Sequence, residues 1–107
     1  EVYNVTTKYD KIKELLEGIK GFLEKYNDQK WPPWFSEQIK ELESPWSNET
    51  KVLQELVGIF GGMGSFNDLY LCKENGHIID NESAANRELD NLRGQLYQEL
   101  KKLGAFI

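Results

Sequence analysis

Apolar residues at Tyr9, Ile12, Leu15, Leu16, Ile19, Phe22, Leu23 and Tyr26 recur every three or four positions. That spacing traces one face of an α-helix and predicts a first helix over about 9–26. Lysines and glutamates fill the other face, with Lys13–Glu17 and Lys20–Glu24 at i,i+4. Gly18 and Gly21 weaken the middle by roughly 1 kcal/mol each relative to alanine. They also leave room for a closely packed neighbour. Asn27-Asp28 ends the pattern, and Trp31-Pro32-Pro33-Trp34 follows. Pro33 suits the first turn of a second helix over about 33–43, with Trp34, Phe35, Ile39 and Leu42 apolar. Ser44-Pro45 breaks the chain again. Ser47 or Asn48 can then cap a third helix carrying Val52, Leu53, Leu56, Val57 and Phe60.

The next stretch, Gly61-Gly62-Met63-Gly64-Ser65-Phe66-Asn67-Asp68, places three glycines in four residues and predicts a tight non-helical turn. Beyond it, short apolar runs flank Asn75-Gly76, the strongest local signal for a two-residue β-hairpin. In that register Leu69, Leu71 and Ile78 share one face, and Tyr70, Cys72, Glu74, His77 and Ile79 the other. Leucines and alanine at 85, 89, 92, 96, 100 and 103 define a last helix over about 81–103. Asp80 or Asn81 caps it, Lys101 and Lys102 fill its last turn, and Gly104 ends it. The predicted fold class is mainly α (α+β): four helices in a compact bundle, with one short hairpin between the third and the last. Residues 1–107 form a single domain, and 1–8 a loosely ordered lead-in.

Charge narrows the partners. Thirteen basic residues against eighteen acidic ones give a net −5, which argues against nucleic acid or an anionic membrane and fits a basic protein. One cysteine allows no disulfide framework, and with no apolar run of membrane-spanning length and no signal peptide the expected compartment is the cytoplasm. Three N-x-S/T sequons occur, at Asn4, Asn48 and Asn81. The last two read better as helix starts than as glycan acceptors.

Candidate chemistry is sparse. The glycine loop has the composition of a phosphate cradle, but a helix precedes it, no lysine follows, and Asp68 adds a negative charge. Gly61, Gly62 and Gly64, with Asn75 and Gly76, read as structural turns. Cys72 and His77 lie diagonally on one hairpin face, which invites a nucleophile and base with Asp80 as orienter. A zinc site would lack two ligands, so neither metal nor cofactor is expected. The plainer reading is a buried thiol beside a surface histidine. Trp31, Trp34, Phe35 and Trp46 surround the helix connections, either plugging the bundle end or forming a patch with at least one exposed indole.

The string GGMGSFNDLYLCKENGH at 61–77, followed by Asn86, Leu89-Asp90, Leu92-Arg93 and Leu96-Tyr97, resembles a family of small uncharacterised bacterial proteins. Their hallmark is a GGMGS-x-ND-L segment ahead of a final helix. The resemblance covers about a third of the chain and implies a bacterial, cytoplasmic origin but no activity. Small acidic bacterial domains of this kind are often inhibitors, an association at the level of class. The expected function is therefore a non-catalytic, protein-binding immunity or inhibitor protein that neutralises a basic toxin or effector. Its contacts would come from Met63, Phe66, Asn67 and Asp68, from Trp31, Trp34 and Trp46, and from Glu41 and Glu43. The alternatives are a regulatory or assembly subunit acting as a homodimer, and a small Cys/His enzyme.

Overall fold

The computed structural model describes residues 9–106 apart from 45, 47, 62 and 63. The expectations for 1–8, for Met63 and for Gly62 lie outside the described residues. Four α-helices form among them: α1 (Asp10–Lys25), α2 (Trp31–Glu43), α3 (Glu49–Gly58) and α4 (Glu82–Lys102). Each boundary has a local cause. Asn27 takes the left-handed conformation (φ 62°), and the Asp28 and Asn27 amides return to the Leu23 and Glu24 carbonyls. This is a Schellman stop, which asparagine tolerates better than most residues. Asn48 and Asn81 accept from the amides three residues on, at 3.1 and 3.0 Å, capping α3 and α4. Gly104 (φ 75°) closes α4 with a second Schellman turn, its amide and that of Ala105 bonding to Lys101 and Leu100.

Helix α2 begins two residues earlier than the prolines suggested. Pro32 and Pro33 both occupy its first turn, where a missing N–H costs nothing, and the Asp28 carboxylate accepts from the Trp31 amide at 2.9 Å. The core runs from Ile12, Leu16, Ile19 and Leu23 of α1 through Phe35, Val52 and Leu56 to Leu89, Leu96 and Leu100 of α4. Gly18 and Gly21 face open space, so no element makes the close approach they would permit. No helix among the described residues is long and apolar enough to cross a membrane.

The hairpin is absent, which corrects the α+β expectation: no described residue lies in a β-strand, and the class is mainly α. A two-residue turn of the expected type needs positive φ at both Asn75 and Gly76. Only Gly76 has it (φ 89°), while Asn75 closes a single 3-10 turn over Lys73–Asn75. The Asn75 and His77 amides both return to the Cys72 carbonyl. The ladder does not continue because Cys72, which would pair with Ile79, spends its amide on His77 Nδ1 and its carbonyl on the turn's own amides. The Leu71 amide and carbonyl both bond to the Asn86 side chain, and the Ile78 amide bonds to the Tyr26 carbonyl. The expected faces dissolve accordingly: Leu71, Cys72, His77 and Ile79 are buried, and Tyr70 and Ile78 are exposed.

Candidate functional site

The glycine loop is built around Phe66. Its ring is fully buried and meets Trp31 and Phe35 edge to face at 5.2 and 5.1 Å. Such a plug requires the backbone on both sides to turn sharply. Gly64 does so at φ 81°, a conformation disfavoured for residues with a Cβ. The loop supplies most of its own bonds: the Gly64 amide donates to Asp68 Oδ2, the Ser65 hydroxyl to the Gly61 carbonyl, and the Asn67 amide to the Ile59 carbonyl. Arg93 of α4 donates from one nitrogen to the Phe66 and Leu69 carbonyls, each at 2.9 Å, while its other nitrogen pairs with Asp90. Lys30 reaches across from the start of α2, over the Trp31 ring and to the Gly64 carbonyl.

The segment after the loop is read by a second α4 side chain. Asn86 accepts from the Leu71 amide and donates to the Leu71 carbonyl, both at 2.8 Å, with a further bond to the Glu82 carbonyl. One carboxamide thus replaces a neighbouring strand. Replacing Asn86 by alanine orphans both buried peptide groups and should cost about 2–3 kcal/mol, read as a lower urea midpoint at unchanged slope. An Asn86→Ala protein as stable as the parent would show that the clamp contributes nothing.

His77 is buried, not on the surface, and its carboxylate partner is Asp28, forty-nine residues away, in place of Asp80. Nε2 lies 2.8 Å from Asp28 Oδ1, with both side chains almost wholly sequestered. Nδ1 accepts from the Cys72 amide at 3.1 Å. The Cys72 carbonyl, 3.2 Å from Nδ1, is already occupied by the Asn75 and His77 amides. A neutral ring with its proton on Nε2 therefore satisfies every group, whereas the other tautomer would strand the Cys72 amide and leave Nε2 facing a carboxylate without a proton. Asp28 in turn spends Oδ2 on the Trp31 amide. Both ring nitrogens are engaged and Cys72 is buried, so the pair joins the end of α1, the start of α2 and the Cys72–His77 turn. Asp80 itself is exposed. Among the described residues no three His, Cys, Asp or Glu side chains gather as metal ligands.

The expected contact residues are scattered. Trp31 and Phe66 belong to the core, and Trp34 is half-buried against Trp31 and Phe35. Asn67 and Asp68 are exposed beside them, with Asp68 committed to its own loop. Trp46 stands apart: it lies on the short connection between α2 and α3 and is 90% exposed. Glu41 and Glu43 are exposed one turn before it, Glu43 lying 3.9 Å from Lys13. Sequence reasoning passed over Asp28, Ile78 and the clamping role of Asn86 and Arg93. Asp28 carried one usable signal, its position three residues before a Trp-Pro-Pro helix start. The other three act through distant backbone atoms, which leave no local mark.

A family model described as a domain of unknown function, DUF6966, matches residues 24–80. The match opens just before Asp28 and closes just after His77, and it takes in α2, α3, the glycine loop and the irregular segment. No curated protein and no solved structure matches the chain.

Proposed function

The chain belongs to the DUF6966 family, and we propose that it is a non-catalytic protein-binding domain that neutralises a basic toxin or effector, in the manner of an immunity protein. The observation that carries this reading is Trp46. A tryptophan is a large apolar surface that folding normally covers, and it is enriched among residues that anchor protein complexes. Here it is left in water on a connection flanked by acid. Between residues 37 and 55 five glutamates face two lysines, a net −3 of the chain's −5. Carboxylates so placed steer a cationic surface towards the indole, and the indole's burial then holds it. The Cys/His enzyme reading is less well supported, because His77 has both nitrogens engaged and the Cys72 thiol is buried.

The test is capture of bacterial proteins on the immobilised chain, at low ionic strength and at about 1 M salt, where the Debye length falls to about 3 Å. A basic domain should be retained at low salt and released at high salt. Expressed alone it should be toxic, and co-expression of this chain should relieve the toxicity. Trp46→Ala, and separately Glu41→Lys with Glu43→Lys, should weaken capture at least about tenfold without unfolding the protein, since these side chains are exposed. An acidic or harmless partner, a second copy of the chain, or equal capture by both variants would overturn the reading.

A further inference from the structure

Ile78 is a large aliphatic side chain left 71% exposed, and the structure forces it outward. Its amide is tied to the Tyr26 carbonyl at 3.0 Å, and its neighbours His77 and Ile79 both point into the protein. Set between two buried side chains, Ile78 faces solvent. It forms the lip of a groove of about 680 Å³ between the end of α1 and the start of α4. Phe22 and Tyr26, packed edge to face at 5.1 Å, supply an aromatic wall. Asp80 and Glu88 stand at the groove, and neither has an ion-pair partner among the described residues. The one cation present, Lys25, lies over the Tyr26 ring at 5.4 Å.

A groove of mixed lining, with an exposed isoleucine and two aromatic rings beside two carboxylates that have no ion-pair partner among the described residues, is complementary to one chemistry. We infer that this groove is a second contact surface, taking a segment of the protein partner in which an apolar side chain adjoins a lysine or arginine. The apolar group packs against Ile78, Phe22 and Tyr26, and the cation lies between Asp80 and Glu88. The inference rests on the proposal that the chain binds a basic protein, but it concerns a different surface from Trp46.

The probe is the acetylated, amidated tetrapeptide Leu-Lys-Leu-Lys, titrated into the 15N-labelled full chain, with the glutamate analogue Leu-Glu-Leu-Glu as control. Saturable shifts below about 5 mM are expected in the amides of 22–26 and 78–88, and none with the control. Ile78→Ser, and separately Asp80→Asn with Glu88→Gln, should weaken the effect at least about tenfold while leaving the remaining spectrum unchanged. Absence of shifts in the groove, equal shifts from both peptides, or undiminished binding by Ile78→Ser would overturn it. The two surfaces fail separately. Loss of partner capture in Trp46→Ala with no peptide in the groove leaves the proposed function standing alone. Peptide in the groove with normal capture by Trp46→Ala leaves only the groove.

Discussion

Asp28→Ala is expected to destabilise the fold by about 3–5 kcal/mol, because it takes the charged acceptor away from the buried Nε2–H of the neutral His77 ring and from a second donor besides, at about 1.5–3 kcal/mol for each such bond. That second donor is Trp31, whose amide in the first turn of α2 has Asp28 as its acceptor. Total stability of such domains is about 5–15 kcal/mol, so the variant should lose a large fraction of it and unfold at markedly lower urea. Asp28→Asn separates charge from geometry. Its carbonyl oxygen can still accept one amide, but its NH₂ group then meets a ring nitrogen that also carries a proton. Changing the tautomer would strand the Cys72 amide instead. One donor is unsatisfied either way, and a smaller cost of about 1–3 kcal/mol follows. Equal urea midpoints for the parent and Asp28→Ala would show that the pair contributes no net stability.

Phe66→Ala should cost a comparable 3–5 kcal/mol, roughly the range for emptying an aromatic site in a packed core. The cavity cannot collapse easily. Trp31 is fixed by the Asp28 cap and Phe35 by the helix behind it, while Arg93 and the loop's own bonds hold the backbone where the ring was. The effect can be watched locally by fluorescence in a Trp46→Phe background, which removes the solvent-exposed indole. The combined emission of the two remaining indoles, Trp31 and Trp34, should shift to the red as water gains access to Trp31. An unshifted spectrum with unchanged urea midpoint would mean that the loop's position does not depend on its aromatic plug. Phe66→Leu should recover much of the loss, since volume is partly restored.

The four helices were legible because each rests on a short-range signal. Apolar spacing marked their faces, and Asn48, Asn81 and Gly104 marked their ends within a few residues of where the structure puts them. The segment between α3 and α4 was not legible. Asn75-Gly76 does reverse the chain, but strand pairing depends on whether peptide groups are free to pair. Cys72, which would pair with Ile79, has given its amide to the His77 ring, and that ring is held by Asp28, forty-nine residues away. The partner of His77 was hidden for the same reason: Asp80 is near in sequence, and Asp28 is near in space. Trp46 and Trp31 show the limit from another side. Both adjoin prolines in sequence, and only the Asp28–Trp31 cap and the Phe66 plug decide that Trp31 is interior while Trp46 is left in water.

The manner in which α4 holds the irregular segment has an evolutionary consequence. Asn86 and Arg93 grip main-chain atoms of Phe66, Leu69 and Leu71, and Tyr26 grips that of Ile78, so the path of the strip is largely indifferent to which side chains point outward from it. Tyr70, Lys73, Glu74 and Ile78 can therefore be exchanged like type in a fixed frame. A lineage pressed to recognise a changing opponent could rewrite that face at little cost in stability, whereas Phe66, Leu71 and His77 beneath it would have to stay.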